Sequence, residues 1–100
     1  MSTNLEQIEI GVSYLGFSVE NGNYHGRPQT MRVPRPETYA ELHQVITSDS
    51  RQPAVLIDEF GRLKGCQMFV NGRLVRNLLQ RLPTNLAVRD VRYLKAISGG

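Results

Sequence analysis

The chain has 100 residues, of which 40% are hydrophobic, and a formal net charge of +3. This length is typical of a single domain with one modest core. The composition excludes a disordered chain, and no apolar run approaches the ~20 residues of a membrane span. The first residues lack the basic and apolar segments of a signal peptide. Because the sequence has a single cysteine, Cys66, an internal disulfide is excluded. These features predict a cytoplasmic protein.

The charge is distributed unevenly along the chain. Residues 1–59 carry four basic and eight acidic side chains, whereas residues 60–100 carry eight basic and one acidic. A basic half predicts an acidic or phosphate-bearing partner, or simply a solvated basic face. Nucleic acid is the weaker alternative, because no arginine-rich run alternates with aromatic residues.

The first third of the chain predicts a β-hairpin. Residues 6–19 alternate between apolar and polar side chains as a strand does, and the apolar parity changes at Leu15, which predicts a bulge at residues 14–16. Asn21 and Gly22 are typical of a type I′ turn, since both central positions of that turn need a positive φ. A second strand is expected over residues 29–33, with Met31 and Val33 facing inward.

A helix is predicted to begin at Thr38. This residue is suited to the N-cap position, and Glu41 three residues later completes a capping box. The helix should end near residues 48–50. Its apolar face recurs at helical spacing and comprises Tyr39, Leu42, Val45 and Ile46.

The second half of the chain contains several short elements. They are predicted as a strand at 54–57, an exposed turn at 58–62, a strand at 66–70, a helical turn or irregular edge at 73–82, and a final strand at 91–97. Asn71 and Gly72 should form a tight turn after the third of these. A hairpin, one helix and further strands indicate an α+β domain with the helix packed across one face of a mixed sheet. The first and last strands are expected to pair in parallel at its centre.

The residues that follow the last strand, Ser98, Gly99 and Gly100, suggest chemistry at the end of the chain. Glycine has no side chain, so a Gly-Gly end can enter a tunnel too narrow for any Cβ atom. A protein that uses its own C-terminal carboxylate as a reacting group needs such an end. The alternatives are coincidence, a cloning remnant or a frayed terminus.

Three segments together resemble the ubiquitin-like sulfur carriers, the family of the molybdopterin synthase small subunit and the thiamin-pathway sulfur carrier. They are Phe69-Val70-Asn71-Gly72-Arg73, Asp90-Val91 and Ile97-Ser98-Gly99-Gly100. The resemblance implies a β-grasp (ubiquitin-like) domain over residues 1–96 and a flexible Gly-Gly tail over residues 97–100. The predicted order of hairpin, helix and strands agrees with that fold.

The resemblance also implies a function in which the chain is a carrier and not an enzyme. A ubiquitin-activating-type adenylating enzyme, using ATP and magnesium, would activate the Gly100 carboxylate, which would then become a thiocarboxylate. A molybdopterin synthase large subunit or another acceptor enzyme would receive the sulfur. The chain itself would bind no cofactor or metal. The expected acyl donor is Gly100, and the expected partner-binding residues are Phe69, Val70, Ile97, Ser98, Gly99 and Gly100.

Two other functions remain open from the sequence. The same tail suits a ubiquitin-like protein modifier conjugated through Gly100. The chain could also be a non-covalent β-grasp binding module with a basic face. Cys66 has no Cys-X-X-Cys partner and His25 and His43 form no metal-ligand cluster, so none of the three is expected to do chemistry.

Overall fold

The computed structural model describes residues 6–17, 29–48 and 55–95. Within these residues the chain forms one helix and five strands, and is an α+β domain as predicted. The elements are β1 (Gln7–Leu15), β2 (Gln29–Pro34), α1 (Tyr39–Thr47), β3 (Cys66–Val70), β4 (Arg73–Val75) and β5 (Asp90–Lys95). The predicted turn at Asn21-Gly22 and the tail over residues 97–100 lie outside the described residues.

The five strands form one mixed sheet in the order β2-β1-β5-β3-β4. β5 lies at its centre, parallel to β1 and antiparallel to β3, while the β1–β2 and β3–β4 pairs are antiparallel. The parallel pairing runs from Gly11 opposite Asp90 to Leu15 opposite Leu94. The predicted parallel contact between the first and last strands is therefore confirmed.

The helix covers one face of the sheet. On the opposite face, here called the open face, Ser13 is buried, whereas the side chains of β3, β4 and β5 are partly or fully exposed. Alternate side chains of each strand point to the covered face, where the helix adds Leu42, His43 and Ile46 to the core. Met31 and Val33 face inward, as predicted, with Val33 the more deeply buried. The buried residues that the strands contribute are Ile10, Val12, Tyr14, Val33, Cys66, Met68, Val70, Val91 and Tyr93.

The helix begins as the sequence predicts. The Glu41 N–H donates to Oγ1 of Thr38, with 3.1 Å between the two atoms. The carboxylate of Glu41 accepts a hydrogen bond from the N–H of Glu37 and not from that of Thr38, so the reciprocal half of the capping box is shifted by one residue. Ser48 forms the C-cap.

The first N–H groups of the helix donate to carbonyls in the segment for which the sequence predicts a helical turn or an irregular edge. The N–H of Tyr39 donates to the carbonyl of Gln80 at 3.1 Å, and that of Ala40 donates to the carbonyl of Leu78 at 2.7 Å. The segment over residues 78–82 thus runs along the start of the helix. It supplies acceptors that a helix N-terminus otherwise lacks.

Two predicted features of the backbone are wrong. β1 does not bulge at residues 14–16; it ends at Leu15, and Gly16 turns the chain with a φ of +82°. Residues 55–57 form no strand either, because only Ile57 makes an isolated bridge, to Leu63. Val55 is buried there beside the helix, while Leu56 is 66% exposed. The short apolar run predicts a strand, but the carbonyls of Val55 and Leu56 bond with the His43 ring and the Lys64 N–H and not with the sheet.

The remaining turns agree with the sequence. The Asp58 carboxylate accepts hydrogen bonds from the N–H groups of Phe60 and Arg62, which closes the exposed turn over residues 58–62. Residues 73–82 form β4 followed by turns. Of the two predictions for this segment, the irregular edge is therefore correct and the helical turn is not. No helix of the described residues is long and apolar enough to cross a membrane.

Candidate functional site

The candidate tail follows the central strand of the sheet. β5 is flanked by β1 and β3, and its last residue, Lys95, lies opposite Cys66 of β3. The Lys95 ammonium group lies 5.9 Å from the centre of the Phe17 ring. The predicted site residues Ile97, Ser98, Gly99 and Gly100 lie outside the described residues, so the described site ends at the base of the tail.

The open face of the sheet carries an apolar patch next to this point. Leu15, Leu74 and Leu94 are each 38% exposed, and Phe69 is half-buried between them. The register places these four side chains on the same face, since Leu15 pairs with Leu94 and Phe69 pairs with Leu74. We call these four residues the open-face patch. A patch of this kind on a sheet not covered by the helix is suited to contact with another protein.

The structure separates the two residues that the sequence placed together in a docking surface. Phe69 belongs to the open-face patch, but Val70 points to the opposite face and is only 4% exposed. Consecutive strand residues face opposite sides, so the two cannot both contact one partner through that face. Sequence reasoning missed Leu15 and Leu74, and it included Leu94 only as part of the last strand. Their strand parity is the signal that could have found them.

Asn71 has a structural role in the motif that carried the family resemblance. Its side chain donates from Nδ2 to the carbonyl of Ala87 at 2.8 Å. Its Oδ1 accepts from the N–H groups of Arg89 at 2.9 Å and Asp90 at 3.1 Å. Its own N–H donates to the carbonyl of Asp90 at 2.8 Å. One residue therefore fixes the β3–β4 turn to the start of the central strand.

The described histidine and the cysteine are buried in the core. Burial lowers the pKa of the His43 imidazole, and the hydrogen bond with the Val55 carbonyl opposes that shift. Burial raises the pKa of the Cys66 thiol, which keeps it protonated and a poor nucleophile. His25 lies outside the described residues. The environments of His43 and Cys66 are those of core side chains.

No group of three or more histidine, cysteine or carboxylate side chains within residues 6–17, 29–48 and 55–95 is placed to hold a metal ion. Comparison with models of protein families, with curated protein sequences and with solved structures finds no match. Inferences about function therefore depend on the sequence of the tail and on the geometry of the sheet.

Proposed function

We propose that this chain is a sulfur carrier with a β-grasp fold, whose Gly100 carboxylate is the acyl group activated by a partner enzyme. The observation that carries the proposal is the central position of β5, parallel to β1, with Gly99 and Gly100 a few residues beyond it. The strand order, the parallel central pair and the single described helix are those expected of a β-grasp domain. They support the proposal together with the motifs at Asn71 and Asp90.

The chemistry follows from the poor reactivity of a carboxylate. In the adenylating enzyme a carboxylate oxygen of Gly100 attacks the α-phosphorus of ATP, and pyrophosphate leaves. A sulfur donor then displaces AMP from the acyl-adenylate to leave a thiocarboxylate, which an acceptor enzyme consumes. The carrier contributes a recognisable domain and a narrow acyl end. The partner supplies ATP, magnesium and the transition-state contacts.

The open-face patch is the proposed docking surface for the activating enzyme. It lies on the side of the sheet opposite the helix, and Leu94 is close in sequence to the tail. An interface with an apolar centre and a polar rim is typical of specific protein contacts. Gln67 and Arg92, which pair with Leu94 and Phe69, supply polar groups within this face.

The first test is the mass of the intact protein from its native source, because the proposal requires Gly100 to be the terminal residue. The second test incubates the full chain with the adenylating enzyme from the same source, ATP, magnesium and a sulfide donor. Intact-protein mass spectrometry should then show one oxygen replaced by sulfur at the C-terminus. Deleting Gly100, or adding one residue after it, should abolish that change without affecting the far-UV circular dichroism spectrum.

The matched control is Cys66→Ser, which should be converted as fully as the wild type. Loss of conversion in a folded Cys66→Ser protein would indicate a thiol mechanism and contradict the proposal. Recovery of Gly100 in an isopeptide bond to lysine, with no thiocarboxylate, would identify a protein modifier. A carboxylate that stays unmodified, together with partner binding that persists without Gly100, would favour a non-covalent binding module.

A further inference from the structure

β4 (Arg73–Val75) is an edge strand of the sheet. Within the described residues it pairs with β3 only. Asn71 and Gly72 have φ values of 51° and 83° and form a two-residue turn, so Val70 and Arg73 are the first hydrogen-bonded pair of this hairpin. The next such pair is Met68 and Val75. Leu74, between them, therefore directs its N–H and C=O away from β3, along the outer edge.

Two cavities adjoin this strand. Their volumes are about 560 and 460 Å³, and both are lined by Leu74, Val75 and Arg76. The larger one, here called the Arg73 cavity, also contains Arg73 and has an apolar wall that includes Tyr39 and Leu86. The edge of β4 therefore has space beside it for the side chains of a ligand.

The charge of this edge is not neutralised. Arg73 and Arg76 are exposed, and neither side chain makes an ion pair or a hydrogen bond with the residues that the structure describes. In contrast, Arg92 contacts Asp90 at 3.0 Å. Among the described residues, no aspartate or glutamate lines either cavity. Two unpaired guanidinium groups beside one apolar wall favour a carboxylate-bearing ligand.

The walls of the Arg73 cavity are held in place before any ligand enters. The Arg35 guanidinium donates to the carbonyls of Leu86 at 2.8 Å and Pro83 at 2.9 Å, which fixes one wall. The bonds of Asn71 to Arg89 and Asp90 fix the turn at the other end. A site formed in advance loses less conformational entropy when a ligand binds.

We propose that an extended acidic peptide segment of a partner protein adds to the outer edge of β4 as a further strand. Its main chain would pair with the free N–H and C=O of Leu74, and a carboxylate side chain would enter the Arg73 cavity beside Arg73 and Arg76. Main-chain pairing supplies affinity in this mode, and the pockets supply specificity. The proposal is independent of Gly100, so it stands or fails separately from the carrier function.

The probe is a blocked peptide of about six residues in which valine and glutamate alternate, which spans ~20 Å when extended. Its binding to the full ¹⁵N-labelled chain is followed by amide chemical shifts and by fluorescence anisotropy. The amide of Leu74 and its neighbours in β4 should shift most. The chain lacking Gly100 should bind equally well. Wild-type protein that does not bind the peptide, or shifts confined to another part of the sheet, would overturn the proposal.

Two double variants distinguish specific binding at Arg73 and Arg76 from nonspecific attraction of an acidic peptide to a basic protein. The double variant Arg73→Glu/Arg76→Glu should weaken binding by about tenfold or more, since two attractions become repulsions at exposed positions that do not affect folding. The matched control, Arg32→Glu/Lys95→Glu, makes the same change in net charge at exposed residues that line neither cavity, and it should weaken binding by less than about twofold. Equal losses in both double variants would overturn the proposal.

Changes in the ligand test the pairing itself. A peptide with the same side chains but methylated at alternate backbone nitrogens cannot form the strand ladder, and it should lose most of the affinity. A peptide with lysine in place of glutamate should not bind. If a single-stranded oligonucleotide competes more strongly than the acidic peptide and requires the same two arginines, the edge is a nucleic-acid site and the proposal is wrong.

Discussion

The hydroxyl of Tyr93 donates a hydrogen bond to Nδ1 of His43 in the buried space between β5 and α1, with 2.8 Å between the two atoms. The other ring nitrogen, Nε2, lies 2.8 Å from the carbonyl oxygen of Val55. A carbonyl can only accept, so Nε2 carries the hydrogen and Nδ1 is the acceptor. The neutral imidazole is therefore fully hydrogen-bonded, whereas a proton on Nδ1 would remove the acceptor to which the Tyr93 hydroxyl donates.

This arrangement predicts that the protein loses stability as the pH falls below about 6.5. Burial lowers the pKa of His43 from its ordinary value of 6.5, so the unfolded chain binds the proton more readily than the folded one. The stabilising effect is complete above pH 6.5 and is lost as the pH falls from 6.5 towards the folded-state pKa. One proton limits the slope to about 1.4 kcal/mol per pH unit. Urea unfolding between pH 8 and 5 measures it.

One variant tests whether His43 is the source of that slope. His43→Gln should abolish it even though the protein becomes less stable. The Asp58 carboxyl does not interfere, because its pKa is lowered from 3.8 by its backbone hydrogen bond with Arg62, and its contribution is lost only at more acidic pH. An unchanged slope in folded His43→Gln would show that another group titrates.

Local patterns predicted more of the fold than of the site. The alternation of β1 and the Thr38–Glu41 capping pair depend on neighbouring residues, so the sequence was sufficient to find them. The bond between His43 and Tyr93 joins residues 50 positions apart, which no local pattern can reveal. The predicted strand at 54–57 is wrong over the described residues 55–57 for the same reason. Its apolar character is local, whereas its contact with His43 is not.

The site was partly predictable because strand parity is a local property. The sequence motif predicts both Phe69 and Val70 as partner-binding residues. Adjacent strand residues face opposite sides, so only Phe69 lies on the open face. The open-face patch also needs the register between β1, β5, β3 and β4, which depends on contacts distant in sequence. The unpaired state of Arg73 and Arg76 depends on where every acidic residue lies, so only the folded chain reveals it.

Asn71 is predicted to stabilise the sheet through its side chain and its backbone conformation separately. Asn71→Ala loses the hydrogen bonds to Ala87, Arg89 and Asp90 and also places alanine at a φ of 51°. We expect a loss of about 2–3 kcal/mol in the free energy of unfolding. Asn71→Gly loses the same bonds but tolerates the positive φ, and it should lose about 1 kcal/mol less. Thermal and urea unfolding measure both, and equal losses would show that the backbone conformation contributes nothing.

Two glycines with the same backbone conformation provide a matched test of packing. Gly61 and Gly65 both have a φ of +79°, but a Cβ at Gly61 would contact Oδ1 of Asn77 and lie 2.7 Å from Cγ of Leu79, whereas a Cβ at Gly65 meets no atom of the described residues within 4 Å. Gly65→Ala should therefore lose only the ~1 kcal/mol of the left-handed conformation. Gly61→Ala should lose a further 1–3 kcal/mol, roughly the range for an overpacked site. Urea unfolding compares them, and equal losses would mean that the turn at residues 58–62 moves freely to accommodate the methyl group.

The open-face patch is predicted to control recognition by the activating enzyme without affecting the fold. Leu94→Glu places a carboxylate at the centre of the patch, on a side chain already 38% exposed, so the domain should stay folded. Burying that charge against an apolar partner surface is unfavourable unless the partner supplies a cation. We expect the carrier concentration that half-saturates ATP–pyrophosphate exchange to rise by about tenfold or more. The control is Leu79→Glu, at a leucine that is 55% exposed and outside the patch, which should behave as wild type. If Leu94→Glu saturates the enzyme at the wild-type concentration, or if Leu79→Glu has the same effect, the enzyme does not dock on this face, although Gly100 could still be its substrate.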